Sequence, residues 1–195
     1  MSQTHTPWRS PLARSLHLNR SLVYARYLQL ATVRQDGRPA NRTVVFRGFL
    51  PETNQLQFVT DARSEKIDQI AYCRWGEACW YFPKSREQFR LFGMLRLVGQ
   101  DEADEALKQA RSRLWRDLSD SARLQFAWPH PGESRASAEA FSPAAPDPAE
   151  PLPQFSLLLL DPIQVDHLQL KGDPQNRDRY TRMDSQSWSN QSINP

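Results

Sequence analysis

Tyr27–Arg34 reads YLQLATVR, Gln35-Asp36-Gly37 follows it, and Asn41–Pro51 reads NRTVVFRGFLP. Asp-Gly between two segments rich in apolar and β-branched residues is a strong turn signal, so this stretch is predicted to fold as a β-hairpin. After the turn at Glu52-Thr53-Asn54, QLQFVT (Gln55–Thr60) is expected to add a third strand. EACWYFP (Glu77–Pro83) reads as another. QFRLFGMLRLVG (Gln88–Gly99) is longer, with Phe89, Leu91, Leu95 and Leu97 alternating with Gln88, Arg90, Met94 and Arg96. FSLLLL, VDHLQL and RDRYTRM are expected to supply the last strands, with Lys171-Gly172-Asp173-Pro174 as a turn.

Three stretches carry helical spacing instead. From Pro11 to about Arg26, Leu12, Leu16, Val23 and Tyr27 recur after a proline suited to a first turn. Arg63–Cys73 (RSEKIDQIAYC) would turn Ile67, Ile70 and Ala71 inward. Asp101 is expected to cap a helix with Ala103, Leu107, Ala110 and Leu114 on one face, followed by a short helix ending before Trp128-Pro129. Short, mostly antiparallel strands interrupted by helices predict an α+β chain built round a small β-barrel, which leaves room for one ligand at a mouth or interface.

At 195 residues the chain is expected to form one domain, residues 1–195. Residues 129–153 contain seven prolines among alanine, serine and acidic residues, a composition that predicts a mobile excursion or lid. No run of residues is apolar enough for a membrane span or a signal core, so a cytoplasmic location is expected. Cys73 and Cys79 stand without partners at metal-ligand spacing, so no metal site is predicted and both are read as buried free thiols. Neither a GxGxxG nor a GxxxxGK[ST] segment occurs, and neither do GxSxG and HExxH. Histidines 5, 17, 130 and 167 sit singly and read as surface or satisfied residues.

Charge is uneven. Residues 1–47 hold eight arginines and one acid, Asp36, although the net charge is only +3. That asymmetry fits a solvated basic face, a phosphate-bearing small molecule or nucleic acid; the last is disfavoured because no aromatics interleave with the arginines on an evident strand platform. Arg63 and Lys66 lie in the opening turn of a predicted helix, where the dipole disfavours cations. Either a bound phosphate compensates them, with Ser64 assisting, or Glu65 and solvent screen them. Arg42 opens the apolar segment RTVVF with no adjacent acid, and an arginine buried there needs an anionic partner.

RTVVFR (Arg42–Arg47), VTDARSEKIDQI (Val59–Ile70), FP followed by EQFRLFG (Glu87–Gly93) and NRDRY (Asn176–Tyr180) occur in an order that resembles the pyridoxamine 5'-phosphate oxidase family, over roughly residues 27–100 and 151–182. The resemblance implies an FMN-binding split barrel that forms a homodimer with flavin at the subunit interface. By position, Arg42 and Lys66 would hold the FMN phosphate with Ser64 and Thr60 in support. Thr43, Val44, Val45, Phe46 and Arg47 would run beside the ring system, and Gln88 and Arg179 would complete its contacts. Arg47 and Arg177 would meet a small, anionic substrate, from which a hydride would pass to FMN before reoxidation by oxygen. The chain departs from the vitamin-oxidising members at Gln175-Asn176-Arg177 and at Leu168, and LKQARSRLWRDLS lacks their substrate-phosphate set. It carries WPHPG at Trp128–Gly132, like a cyanobacterial and plant branch described as FMN-binding. A non-catalytic flavin protein, or a flavin reductase, therefore stands as the alternative.

Overall fold

The computed structural model describes residues 6–184 and 187–195. Strands β1 (Tyr27–Val33) and β2 (Pro39–Val45) form the expected hairpin, with Val33 opposite Pro39. Gly37 takes φ 79 and the Asp36 carboxylate accepts from the Arg38 amide at 3.0 Å, so both residues of the Asp-Gly signal shape the turn. The remaining elements are β3 (Leu56–Asp61), α2 (Lys66–Tyr72), β4 (Trp75–Phe82), β5 (Glu87–Val98), α3 (Glu105–Asp117), α4 (Asp120–Leu124), β6 (Phe155–Gln169), β7 (Asn176–Arg182) and β8 (Trp188–Ile193), after an N-terminal α1 (Arg9–Asn19).

Among the described residues, eight strands join one antiparallel sheet in the order β2-β1-β4-β5-β6-β7-β8, and β3 pairs with β6. The two runs FSLLLL and VDHLQL are one strand rather than two. Its first half lies between β3 and β5 and its second half between β5 and β7. The ladder passes Asp161-Pro162 through a bulge, where Phe92 faces Gln164 and Gly93 faces Pro162. A Cβ on Gly93 would lie 2.1 Å from the Asp161 carbonyl oxygen, so only glycine lets the strands approach there.

Two cores meet across β6, which is why its first half reads as an unbroken apolar run. Leu158 and Leu160 face the barrel interior with Leu28, Leu30, Phe58, Trp80 and Phe89; Leu157 and Leu159 face Leu107, Leu114, Trp115 and Phe126 beneath α3 and α4. The barrel closes at one end, where the Arg47 amide donates to Gln57 (2.9 Å), the Gln57 amide donates to Gly48 (2.8 Å) and Phe49 bridges to Leu56. Beyond that point β2 and β3 share no ladder among the described residues, and α2 bridges the opening through side chains.

Several expectations need correction. The first helix ends at Asn19, and residues 23–26 form a separate 3-10 turn that leaves Val23 87% exposed. Asp104, not Asp101, caps α3: its carboxylate accepts from the amides of Ala106 and Leu107, so Ala103 lies outside the helix. Gln69 rather than Ala71 is buried on α2, because its amide oxygen has polar partners on β1 and β2. Residues 129–153 contain only one short 3-10 turn, Ala138–Phe141, and are tied to the rest of the fold at a few points, including the Trp115 indole of α3 donating to the Asp147 carbonyl at 2.8 Å. Among the described residues, no helix is long and apolar enough to cross a membrane.

The Gly93 contact yields a test. Gly93→Ala should cost about 3 kcal/mol in urea unfolding. Gly99→Ala, where an added Cβ meets nothing within 4 Å, should shift stability by less than about 0.5 kcal/mol.

Candidate functional site

The opening between β2 and β3 gathers Arg42, Thr60, Ser64 and Lys66. Arg42 is the one polar residue on the inward side of β2, where Ala40 and Val44 are buried. Its guanidinium donates to the Leu30 carbonyl (3.1 Å), the Thr32 hydroxyl (2.6 Å) and the Gln69 amide oxygen (2.7 Å). Lys66, the first residue of α2, donates to Thr60 (2.9 Å) and Ser64 (2.8 Å). Every one of these partners is neutral. Neither cation has a carboxylate within ion-pair distance among the described residues.

Two half-buried cations facing one opening without a counter-ion raise the local potential. Burial, and then the charge of Arg42, hold the Lys66 ammonium below its ordinary pKa, with Asp61 and Glu65 offsetting part of that shift. Burial and Arg34 likewise lower Arg42. A dianion with several acceptor oxygens would neutralise both groups, and Arg42 could meet it with a planar fork. The residues present therefore fit the phosphate of a nucleotide cofactor.

Arg63 does not join this pair. Its guanidinium lies in a fork on Asp61, with bonds of 3.0 and 2.7 Å, and also donates to the carbonyls of Trp128 (3.1 Å) and Phe126 (3.2 Å). Gln69 and Thr32, which sequence reasoning passed over, complete the anchoring of Arg42. Gln69 stood three residues after Lys66 in the quoted segment, and its burial on a seven-residue helix was the missing signal.

Val44 and Phe46 point into the barrel core, Phe46 packing on Phe49 and Trp80 with ring centroids 5.0 and 4.9 Å away, so they can offer a ligand only main-chain groups. Thr43 and Val45 face the other way. Because β2 has one neighbour, alternate main-chain amides and carbonyls along its outer edge lack ladder partners. Arg47 has no carboxylate partner among the described residues, and its buried Nε has no hydrogen-bond partner. Burial and then Arg26 lower its pKa.

Gln88, Arg177 and Arg179 lie elsewhere. Gln88 is on the outward face of β5, three strand steps from β2, or roughly 14 Å along the sheet. Arg179 on β7 is two steps farther, with a buried Nε that has no partner. Arg177, expected to meet an anionic substrate, grips the buried Asp166 through two bonds of 2.9 Å, and Arg179 approaches the same carboxylate at 3.6 Å. One chain thus carries a cation pair at the barrel opening and a separate polar row on its outer sheet face.

Comparison with known proteins gives a consistent picture. The family model described as "Pyridoxamine 5'-phosphate oxidase, FMN-binding domain" matches residues 5–99. The chain is similar to "Pyridoxine/pyridoxamine 5'-phosphate oxidase 2" of Arabidopsis thaliana, with 36% identity over 98% of this chain and 99% of the relative. It is similar in structure to a pyridoxamine 5'-phosphate oxidase-related, FMN binding protein from Nostoc punctiforme, at 60% identity, full coverage of both chains and a TM-score of 0.94. PhzG from Burkholderia lata, at 19% identity and TM-score 0.79 over 100% of this chain and 97% of its own, shares the fold.

The lowered Lys66 pKa sets a pH dependence. The folded chain holds that proton less tightly than the unfolded chain, so ligand-free stability should rise as pH climbs from the lowered value towards the ordinary lysine value. Lys66→Met should remove that part of the rise, read as the difference between the two proteins' urea midpoints across the alkaline range.

Proposed function

The chain belongs to the pyridoxamine 5'-phosphate oxidase family of split barrels, and we propose that it is a homodimeric FMN oxidoreductase acting on a small, anionic substrate. The observation that carries this reading is the uncompensated pair Arg42 and Lys66. In this reading the two cations hold the FMN phosphate, with Thr60 and Ser64 fixing the ammonium, and the open edge of β2 at Thr43, Val44, Val45 and Phe46 flanks the ring system. Bound there, FMN would supply two-electron chemistry, accepting a hydride from the substrate and passing electrons to oxygen. The protein's part is to bind, orient and exclude water, and no side-chain base is required.

The division of the site supports the proposed dimer. Gln88 and Arg179 occupy the outer sheet face, while Arg42 and Lys66 occupy the opening, so a second copy would bring its Gln88 and Arg179 to the flavin held by the first. Tyr27, Trp75, Tyr81 and Met94 are exposed on β1, β4 and β5, and Trp75 stacks on Phe92 with centroids 5.2 Å apart. An apolar sheet face of this kind supports association with another copy. Arg47, a half-buried cation with an unpartnered Nε, is the candidate to hold the substrate's anionic group. We read residues 1–195 as a single cytoplasmic domain in which 129–153 is an excursion able to move.

A second reading has its own support. Arg177 is committed to Asp166 and is not available to a substrate without breaking two hydrogen bonds. That closed ion pair favours a flavin-binding protein or flavin reductase with no vitamin substrate.

Purified protein should be yellow. Lys66→Met should weaken FMN binding roughly 10- to 100-fold, the loss expected for a charge-assisted contact to phosphate. Anaerobic addition of pyridoxamine 5'-phosphate should bleach the visible absorbance of the holoprotein, and Arg47→Gln should raise the concentration needed about tenfold or more. Bleaching by reduced nicotinamide alone would select the reductase, and no bleaching by either would select the non-catalytic reading.

A further inference from the structure

We propose that Arg63 is a positioning residue that reserves Lys66 for ligand and couples the anion-binding loop to the proline-rich excursion at 129–153. This rests on the reading of Lys66 as a phosphate-binding group. Thr60 and Asp61 end β3, Ser64 lies in the loop that follows and Lys66 opens α2; together with Glu65, Asp61 is an acid whose charge reaches Lys66. Left alone, that carboxylate would be the natural counter-ion for the ammonium. Arg63 occupies it instead: two guanidinium nitrogens and the Arg63 amide, at 2.8 Å, all donate to Asp61. The Asp61 carbonyl meanwhile accepts from the Ser64 amide (3.1 Å) and hydroxyl (2.8 Å), which sets Ser64 where Lys66 meets it. A fork of five donors can hold an acid and two carbonyls together, whereas a lysine has no such geometry.

The other half of the fork reaches the excursion. Arg63 holds the carbonyls of Phe126 and Trp128, where the chain leaves the helical region. Gln154, at the far end, donates to the same Phe126 carbonyl at 2.6 Å, and its own carbonyl accepts from the Ala62 amide at 2.7 Å. Both ends of the excursion are therefore fastened to residues 61–63. Just before it, the Trp128 ring meets Phe141 of the excursion edge-on at 5.8 Å, and the Arg135 guanidinium lies 4.7 Å from the Phe141 centroid. Loosening the Trp128 carbonyl loosens the anchor of Arg135. Because one side chain binds both regions, ordering of either should favour the other, and the linkage must be reciprocal.

Arg135 is the only Lys or Arg within 129–153, so trypsin cleavage after it, followed by fragment mass, reports on the excursion alone. In ligand-free protein Arg63→Lys, which keeps the charge and loses the fork, should be cut there roughly fivefold faster or more than the parent, since cleavage follows the open population. Saturating FMN should slow cleavage of the parent and leave Arg63→Lys nearly unchanged. Arg63→Gln should also weaken FMN binding roughly tenfold, and adding Asp61→Asn should recover most of that affinity without restoring trypsin resistance. Equal cleavage of ligand-free parent and Arg63→Lys would overturn the clasp. Equal FMN protection of both, or no recovery in the double variant, would overturn the coupling to Lys66. If the parent takes up no FMN, the flavin reading fails, while faster cleavage of ligand-free Arg63→Lys still upholds the clasp itself.

Discussion

Arg42 and Lys66 come to the same opening from β2 and α2, and each is surrounded by neutral oxygens. Side-chain amides, hydroxyls and a main-chain carbonyl orient the two cations without cancelling them. Bringing two like charges to a partly dry site costs stability, and the fold bears that cost by tying each charge to well-anchored groups. Thr32 donates to Gln69 at 2.6 Å while both accept from Arg42, so the three side chains fix one another. The barrel is closed at its other end by Arg47, Gly48 and Gln57, which leaves this gap as the place where helix and strands meet through polar side chains.

The same sheet separates functions by face. Its inner side packs aromatic and aliphatic residues around Trp80 and Phe89, and buries a Glu87–His167 pair bonded at 2.8 Å to which Ser15 of α1 adds a 2.7 Å bond. Its outer side carries Gln88, Asp166 and the paired arginines of β7 beside exposed aromatics. Pleat alternation alone dictates that division, because neighbouring residues on a strand must face opposite ways. In the proposed dimer, a second copy would bring groups of its outer face to the ligand held at the opening of the first.

Much of this was legible in the sequence where the signal was local. Asp36-Gly37 marked the hairpin because turn chemistry resides in two residues, and Arg42 stood out as a charge in an apolar strand. What stayed hidden depended on partners far along the chain. The hold of Arg177 on Asp166 was not visible, because that acid lies eleven residues upstream on the adjacent strand. Arg63 read as a cation compensated either by a phosphate or by Glu65 and solvent, since nothing nearby reveals the Phe126 and Trp128 carbonyls it holds. Trp188–Ile193 escaped notice as a strand because serine, asparagine and glutamine at a sheet edge show no apolar alternation, although Trp188 packs on Trp8 at 5.9 Å. The four family-like segments, by contrast, were visible in order.

In the proposed site, Arg42 and Lys66 recognise a phosphate rather than a ring. Titrating cofactor-free protein with FMN and with riboflavin, which has the same ring system and no phosphate, isolates that contribution. FMN should bind at least about 100-fold more tightly, and replacing both cations (Arg42→Met with Lys66→Met) should bring the two affinities together. Equal affinity of the unaltered protein for FMN and riboflavin would contradict it.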